Sequence, residues 1–226
     1  MVINAFTKGF SGLFDRKSRW VVIKSVGMTI LLFLGVWLGL QGLFTHYLVP
    51  FLDGWAWLAT VGLWLLGVGV VVGAGFMLAP ATALFAGLFL DEIAEDVENT
   101  HYPEDQPGTP LPIAEATFLA LKFGFLVLVG NVVALLLVWL AGFGFVIFFV
   151  LNGYLLGREY FEFASMRHMS SGEAYELRRR YSFEVFIAGL AIACVMSIPI
   201  VNFLTPIFAT KMMVHLSKSA MSRLPG

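Results

Sequence analysis

Cysteine is almost missing from this chain. Cys194 stands alone inside an apolar run, so neither an intrachain disulfide nor a cysteine metal cluster can form. Charge is scarce too, at 13% of 226 residues, where a soluble domain carries about 25%. Neither sign dominates: 14 Lys and Arg face 15 Asp and Glu, leaving no basic excess for binding nucleic acid. Several catalytic signatures are absent as well. There is no Gly-x-x-x-x-Gly-Lys-Ser/Thr phosphate loop, no His-Glu-x-x-His and no Gly-x-Ser-x-Gly, and the histidines His46, His101, His168 and His215 are scattered. The expectation is a non-enzyme with no cofactor and no metal. What the chain does have is apolar side chains, 59% of the total with a mean hydropathy of +0.85, which excludes a soluble enzyme and a disordered linker alike. The composition is that of an integral membrane protein.

Four stretches hold no Asp, Glu, Lys or Arg: Ser25–Leu52 with 28 residues, Gly54–Leu90 with 37, Phe123–Gly157 with 35 and Val185–Thr210 with 26. A helix needs about 20 apolar residues to cross a hydrocarbon core of ~30 Å. The first stretch is one span ending near Pro50, and is far longer than the ~7–15 residue core of a cleavable signal. The second is read as a span over Trp55–Leu78, bent near Pro80 and continuing as a helix to about Asn99. The third is long for one helix and short for two spans. Gly142 and Gly144 near its centre suit a tight turn between two short helices that enter the bilayer without crossing it. Pro199 and Pro206 interrupt the fourth, which predicts a second such hairpin turning near Ile198–Asn202. Residues 1–19 place Ile3, Phe6, Phe10 and Leu13 on one helical face, an amphipathic helix lying on the membrane. The fold expected is therefore all-α, a single membrane domain over residues 1–226 with two long transmembrane helices, two partly inserted helical hairpins and an amphipathic N-terminal helix.

Between the apolar stretches, segment 91–105 is acidic, and Pro103, Pro107, Pro110 and Pro112 then make a loop. Lys and Arg concentrate in three places: five in the first 24 residues, five in 158–184 and three after Thr210. With two full spans and two hairpins, all three lie on one side, the cytoplasmic one. Asn131, Asn152, Ser197, Asn202 and Thr205 are polar groups inside the hairpin stretches. Each serves either as structural glue to a nearby carbonyl or as part of a polar pathway. Arg158 and Glu159 close the third stretch, and Lys122 snorkels to the interface. Gly35-x-x-x-Gly39, Gly69-x-x-x-Gly73 and Gly153-x-x-x-Gly157 allow close helix packing, within the chain or between copies of it. Arg16, Lys17 and Arg19 precede the first span, with Asp15 and Ser18 as possible helix caps. A helix beginning there offers free N–H groups to an anion, whether a solute or a lipid headgroup.

Segments Pro80–Glu98 (PATALFAGLFLDEIAEDVE), Asn152–Met166 (NGYLLGREYFEFASM) and Ile198–Ala209 (IPIVNFLTPIFA) resemble, in order and spacing, the CysZ-type sulfate permease family. The likeness runs from about Phe10 to Leu216, and its superfamily includes eukaryotic etoposide-induced proteins. The resemblance implies two long spans with two partly inserted hairpins, homo-oligomers, and sulfate uptake across the bacterial inner membrane that feeds cysteine synthesis. Many members carry a Gly-Leu-Arg-Arg turn before the first span that is implicated in sulfate binding. Here Asp15-Arg16-Lys17-Ser18-Arg19 stands near that position, so the basic pair persists and the glycine-leucine approach does not.

Residues and resemblance together predict a channel-like, passive sulfate permease in contact with membrane lipid. Arg16, Lys17 and Arg19 are its substrate-binding residues, and Asn152, Arg158, Asn202 and Thr205 are weaker pathway candidates. Sulfate is a pure acceptor, so its site should offer donors only. Glu159 and Glu162 should then be salt-bridged or turned away. The competing expectation is a membrane scaffold that assembles through its glycine faces and its charged segments.

Overall fold

The computed structural model describes residues 1–52, 54–112, 144–198 and 201–224, and every described element is helical. Helix α1 covers Val2–Ser11 and passes through a 3-10 turn, Gly12–Phe14, into α2, Arg16–Leu43. A π turn at Phe44–Leu48 and a 3-10 turn at Val49–Leu52 extend α2 to its end. Gly54, at φ 95°, reverses the chain in a conformation that an L side chain rarely takes. Helix α3 then runs Ala56–Gly87 and α4 runs Leu90–His101. Beyond the described loop to Pro112 come α5 (Gly144–Met166), α6 (Ser171–Arg180), α7 (Ser182–Met196), a 3-10 turn (Val201–Leu204) and α8 (Thr205–Met221).

Two regions of different character result. Helices α2 and α3 pack on each other as a long antiparallel pair. Arg16–Leu52 and Ala56–Ala74 are both long and apolar enough to cross a membrane. Their outward side chains, among them Leu31, Leu38, Trp64, Leu65 and Val71, are exposed, as lipid-facing residues are. Aromatics mark both ends: Trp20 at the start of α2, and Tyr47, Phe51, Trp55 and Trp57 around the far turn, all exposed. At about 1.5 Å per residue the helix between Trp20 and Tyr47 is roughly 40 Å long, the separation of two interfacial aromatic belts.

The second region is a bundle built around α8. Helices α1, α4, α5 and α7 all pack against it, and nearly every residue of α8 is buried, Ile207, Phe208, Met212, Met213 and Leu216 completely. A helix buried all round must find partners for its polar groups, and α8 carries Lys211, His215 and Lys218. Spaced by four and three residues, they form one stripe that faces acids and aromatics of the N-terminal turn, α4 and the following loop.

Several sequence expectations are corrected. Helix α3 continues through Pro80, and the break falls at Leu88–Phe89, where Phe89 already accepts the first bond of α4. The amphipathic N-terminal helix stops at Ser11 rather than near residue 19. It does not simply lie on a bilayer: Ala5, Gly9 and Leu13 are buried in the bundle, Phe6 stacks edge-on to Phe208 at 5.5 Å, and Ile3 and Phe10 stay exposed. Helix α5 runs beyond the uncharged stretch, through Arg158 and Glu159, to Met166. Gly144, expected in a turn, is the first residue of α5, while Gly142, the helix expected before it, Lys122 and Asn131 lie outside the described residues. In the fourth stretch α7 and α8 pack against each other.

Candidate functional site

The α1–α2 junction creates an open cleft. Its volume is about 900 Å³, and Lys8, Arg16, Lys17 and Arg19 line it together with Ser11, Thr100 and His101. Local folding explains why these cations converge. Gly12 and Leu13 turn the chain sharply, Ser18 donates to the Gly12 carbonyl at 2.8 Å across that turn, and α2 starts at Arg16. The first N–H groups of α2 have no capping side chain: Asp15 occupies the cap position but makes no cap hydrogen bond, and neither does Ser18 cap the helix. The expected caps are therefore absent, and the positive end of a 28-residue helix opens beside three cationic side chains.

Most of this positive charge is free. Among the described residues neither Arg16 nor Arg19 has an ion-pair partner, and Lys8 meets only the ring of Tyr102, 5.9 Å from its centroid. Lys17 lies 3.5 Å from Glu92, which it shares with Lys24 at 3.3 Å. The far wall comes from α4, which contributes Asp96, Thr100 and His101. Behind it, His215 is buried with its Nδ1 2.9 Å from the Tyr102 hydroxyl. Burial, reinforced by neighbouring His101, Lys8 and Lys211, pushes His215 down to about 3, so it backs the cleft as a neutral ring.

The structure thus gathers Arg16, Lys17 and Arg19 in one place and adds Lys8, Thr100 and His101, which the sequence reading missed. A partial signal existed: Lys8 is eight residues before Arg16, in the last turn of α1. Gly12 and Leu13 form the turn that precedes the cations. A Cβ on Gly12 would fall 2.9 Å from Lys211 Cδ and 3.2 Å from Asp15 Oδ2, so a side chain there would push the tips of both aside.

The weaker pathway candidates do not join the cleft. Asn152 is buried and spends its amide on the Phe148 carbonyl at 2.9 Å, the structural use weighed against it. Arg158 Nε lies 3.4 Å from Glu162 Oε1, and Arg178 Nε lies 2.6 Å from the same oxygen. These are ion pairs rather than aligned hydrogen bonds, because no N–H points along the contact. Glu162 is therefore salt-bridged, away from the cleft. Asn202 is half-buried in the turn before α8, and Thr205 is buried at the start of α8 with a hydroxyl that finds no partner among the described residues.

A second polar cluster was not foreseen. Arg167, 2% exposed, grips Glu98 with two parallel bonds, Nε to Oε1 at 2.9 Å and Nη2 to Oε2 at 3.0 Å, and reaches Asp91 with Nη1. His168 Nε2 lies 3.0 Å from Glu98 Oε1, and the Gly108 N–H donates to Oε2 at 3.2 Å. This cluster ties α4, the proline loop and the end of α5 together.

The described chain is thus an all-α protein with two membrane-length helices and a cationic cleft at the base of the first. It belongs to the family described as Sulfate transporter CysZ/Etoposide-induced protein 2.4, whose model matches residues 5–206. That is a transporter family, not an enzyme family, and the chain is a membrane protein. No curated protein matches the chain.

Proposed function

We propose that this chain is a sulfate permease of the bacterial inner membrane, multi-pass and homo-oligomeric, which lets the dianion enter passively for cysteine synthesis. The observation that carries the reading is the cleft where Lys8, Arg16, Lys17 and Arg19 meet the uncapped start of α2. Sulfate presents four acceptor oxygens and no proton at neutral pH, so it is bound best by guanidinium, ammonium, hydroxyl and backbone N–H groups. The cleft offers all four kinds at the foot of a helix long enough to span a bilayer. Family membership supports the substrate class. Anionic lipid headgroups share the same chemistry and compete for the outer rim, where Trp20 is exposed.

The test is sulfate entry into liposomes containing only this protein, made once with neutral lipid and once with anionic lipid. The wild type should accelerate radiolabelled sulfate uptake over an unrelated membrane protein. Arg16→Ala with Lys17→Ala should lower affinity and flux at least tenfold. Unchanged affinity and flux in the double variant would remove the cleft from the mechanism, and no uptake by the wild type at any pH would favour the scaffold reading.

A further inference from the structure

A donor-only anion site should not contain carboxylates, yet Asp15 and Asp96 both line this cleft. Each would repel a bound dianion. Beneath them lies one side chain from the other end of the sequence. Lys211 is 2% exposed, and its Nζ is 3.0 Å from Asp15 Oδ2 and 3.5 Å from Asp96 Oδ2. The bond to Asp15 also accounts for the uncapped start of α2: the carboxylate at the cap position is turned to Lys211 and not to the N–H groups of α2. Gly12 leaves the space in which the two meet, since a Cβ there would be 3.0 Å from Nζ.

We propose that Lys211 is the positioning residue that makes this cleft selective for fully deprotonated oxyanions. It acts through Asp15 and Asp96, offsetting their charge with its single cation and holding Asp15 off the helix N-terminus, so that the free N–H groups and cations are left for the ligand. The proposal rests on the reading of the cleft as the sulfate site. Without Lys211 the two carboxylates would face the ligand as charged acceptors. They would reject sulfate but could still accept the hydrogen bond that hydrogenphosphate carries at neutral pH. The other ionisable groups around the site are Lys8 from α1, Arg16, Lys17 and Arg19 from α2, His101 from α4 and His215 from α8. None of them is altered in the comparison, and working at a single pH of about 7.5 keeps their charges constant.

The experiment measures sulfate and phosphate binding to purified full-length protein in detergent by isothermal calorimetry. Lys211→Met should weaken sulfate at least tenfold, about 1.4 kcal/mol, and weaken phosphate less, so that the preference for sulfate narrows. Adding Asp15→Asn and Asp96→Asn in the same chain should restore both the affinity and the preference, a rescue that a merely structural role for Lys211 would not give. Gly12→Ala displaces the Lys211 and Asp15 tips without removing either, and should weaken sulfate by a smaller factor that Asp15→Asn reverses. It keeps the test decisive if the methionine variant does not fold. A folded Lys211→Met protein that binds sulfate as the wild type does would overturn the proposal, as would a triple variant that folds and regains nothing. A wild type that binds no sulfate would instead overturn the reading of the cleft, and this proposal with it. A wild type whose sulfate binding survives Arg16→Ala with Lys17→Ala would do the same.

Discussion

At the scale of single residues, Arg167 and Glu98 set the terms. Burying an isolated guanidinium or carboxylate is costly, and the pair is tolerated because both oxygens of Glu98 and three nitrogens of Arg167 are occupied. Removing one partner leaves the other charged and dry. Arg167→Met should therefore cost about 3–5 kcal/mol, read as a lowered thermal midpoint in detergent, whereas Arg179→Ala on the exposed face of α6 should leave the midpoint unchanged. The same pair predicts an acid limb. Burial raises the Glu98 carboxyl, but the bonds and charges of His168 and Arg167 outweigh it and hold the group down at about 2 against an ordinary 4.5. A depressed carboxylate contributes its stability fully above the unfolded value near 4.5 and loses it as pH falls toward 2. Thermal unfolding between pH 6 and pH 3 should show the wild type losing stability through that window. Glu98→Gln should be less stable at pH 6 and flatter below it; an equal slope in both proteins would mean that other carboxylates carry the acid limb.

At the scale of elements, the glycine motifs divide into two uses. In Gly153-x-x-x-Gly157 the α5 backbone lies against α7: a Cβ on Gly157 would stand 2.5 Å from the Val185 carbonyl, and one on Gly189 would strike the Gly153 carbonyl. Along α2 and α3, Gly35, Gly39, Gly69 and Gly73 have nothing within 4 Å. Gly157→Ala should thus lower thermal stability by about 3 kcal/mol, the upper part of the ordinary overpacking range, while Gly69→Ala should be neutral in the monomer; equal midpoints would refute the close crossing. What was legible in the sequence follows the same division. The helices α2 and α3 declared themselves through uncharged length, and Arg16, Lys17 and Arg19 through adjacency. The end of α3 did not, because the bend was placed at Pro80, through which the helix runs, and not at Leu88–Phe89. The bundle around α8 was hidden for a different reason. Lys211 pairs with Asp15 across 196 residues, and Arg167 with Glu98 across 69, and no local spacing rule reports such partners. The one available hint was Lys211 itself, a lone cation abutting an apolar stretch, which had to be paired if it was buried.

At the scale of the whole molecule, the layout separates a bundle carrying the cationic cleft from a long apolar pair of helices, and the proposed sulfate uptake raises the question of what would drive a dianion inward. Moving two charges against 100 mV costs ~4.6 kcal/mol, equivalent to more than a thousandfold concentration ratio at ~1.4 kcal/mol per decade. Either consumption inside maintains that gradient or protons enter with the anion. A proton relay needs titratable carboxylates within the membrane-embedded stretches, and none of the four contains Asp or Glu. Of the acids flanking them, Glu162 is neutralised by Arg158 and Arg178, and Glu92 by Lys17 and Lys24. Passive flux is therefore expected. With voltage clamped and a pH gradient imposed across liposomes, internal sulfate should stop at the ratio set by voltage alone, and Glu162→Gln should change the rate without changing that end point. Accumulation beyond electrochemical equilibrium, abolished by a protonophore, would show instead that a proton travels with each sulfate and would make Glu162 the first residue to test as its carrier.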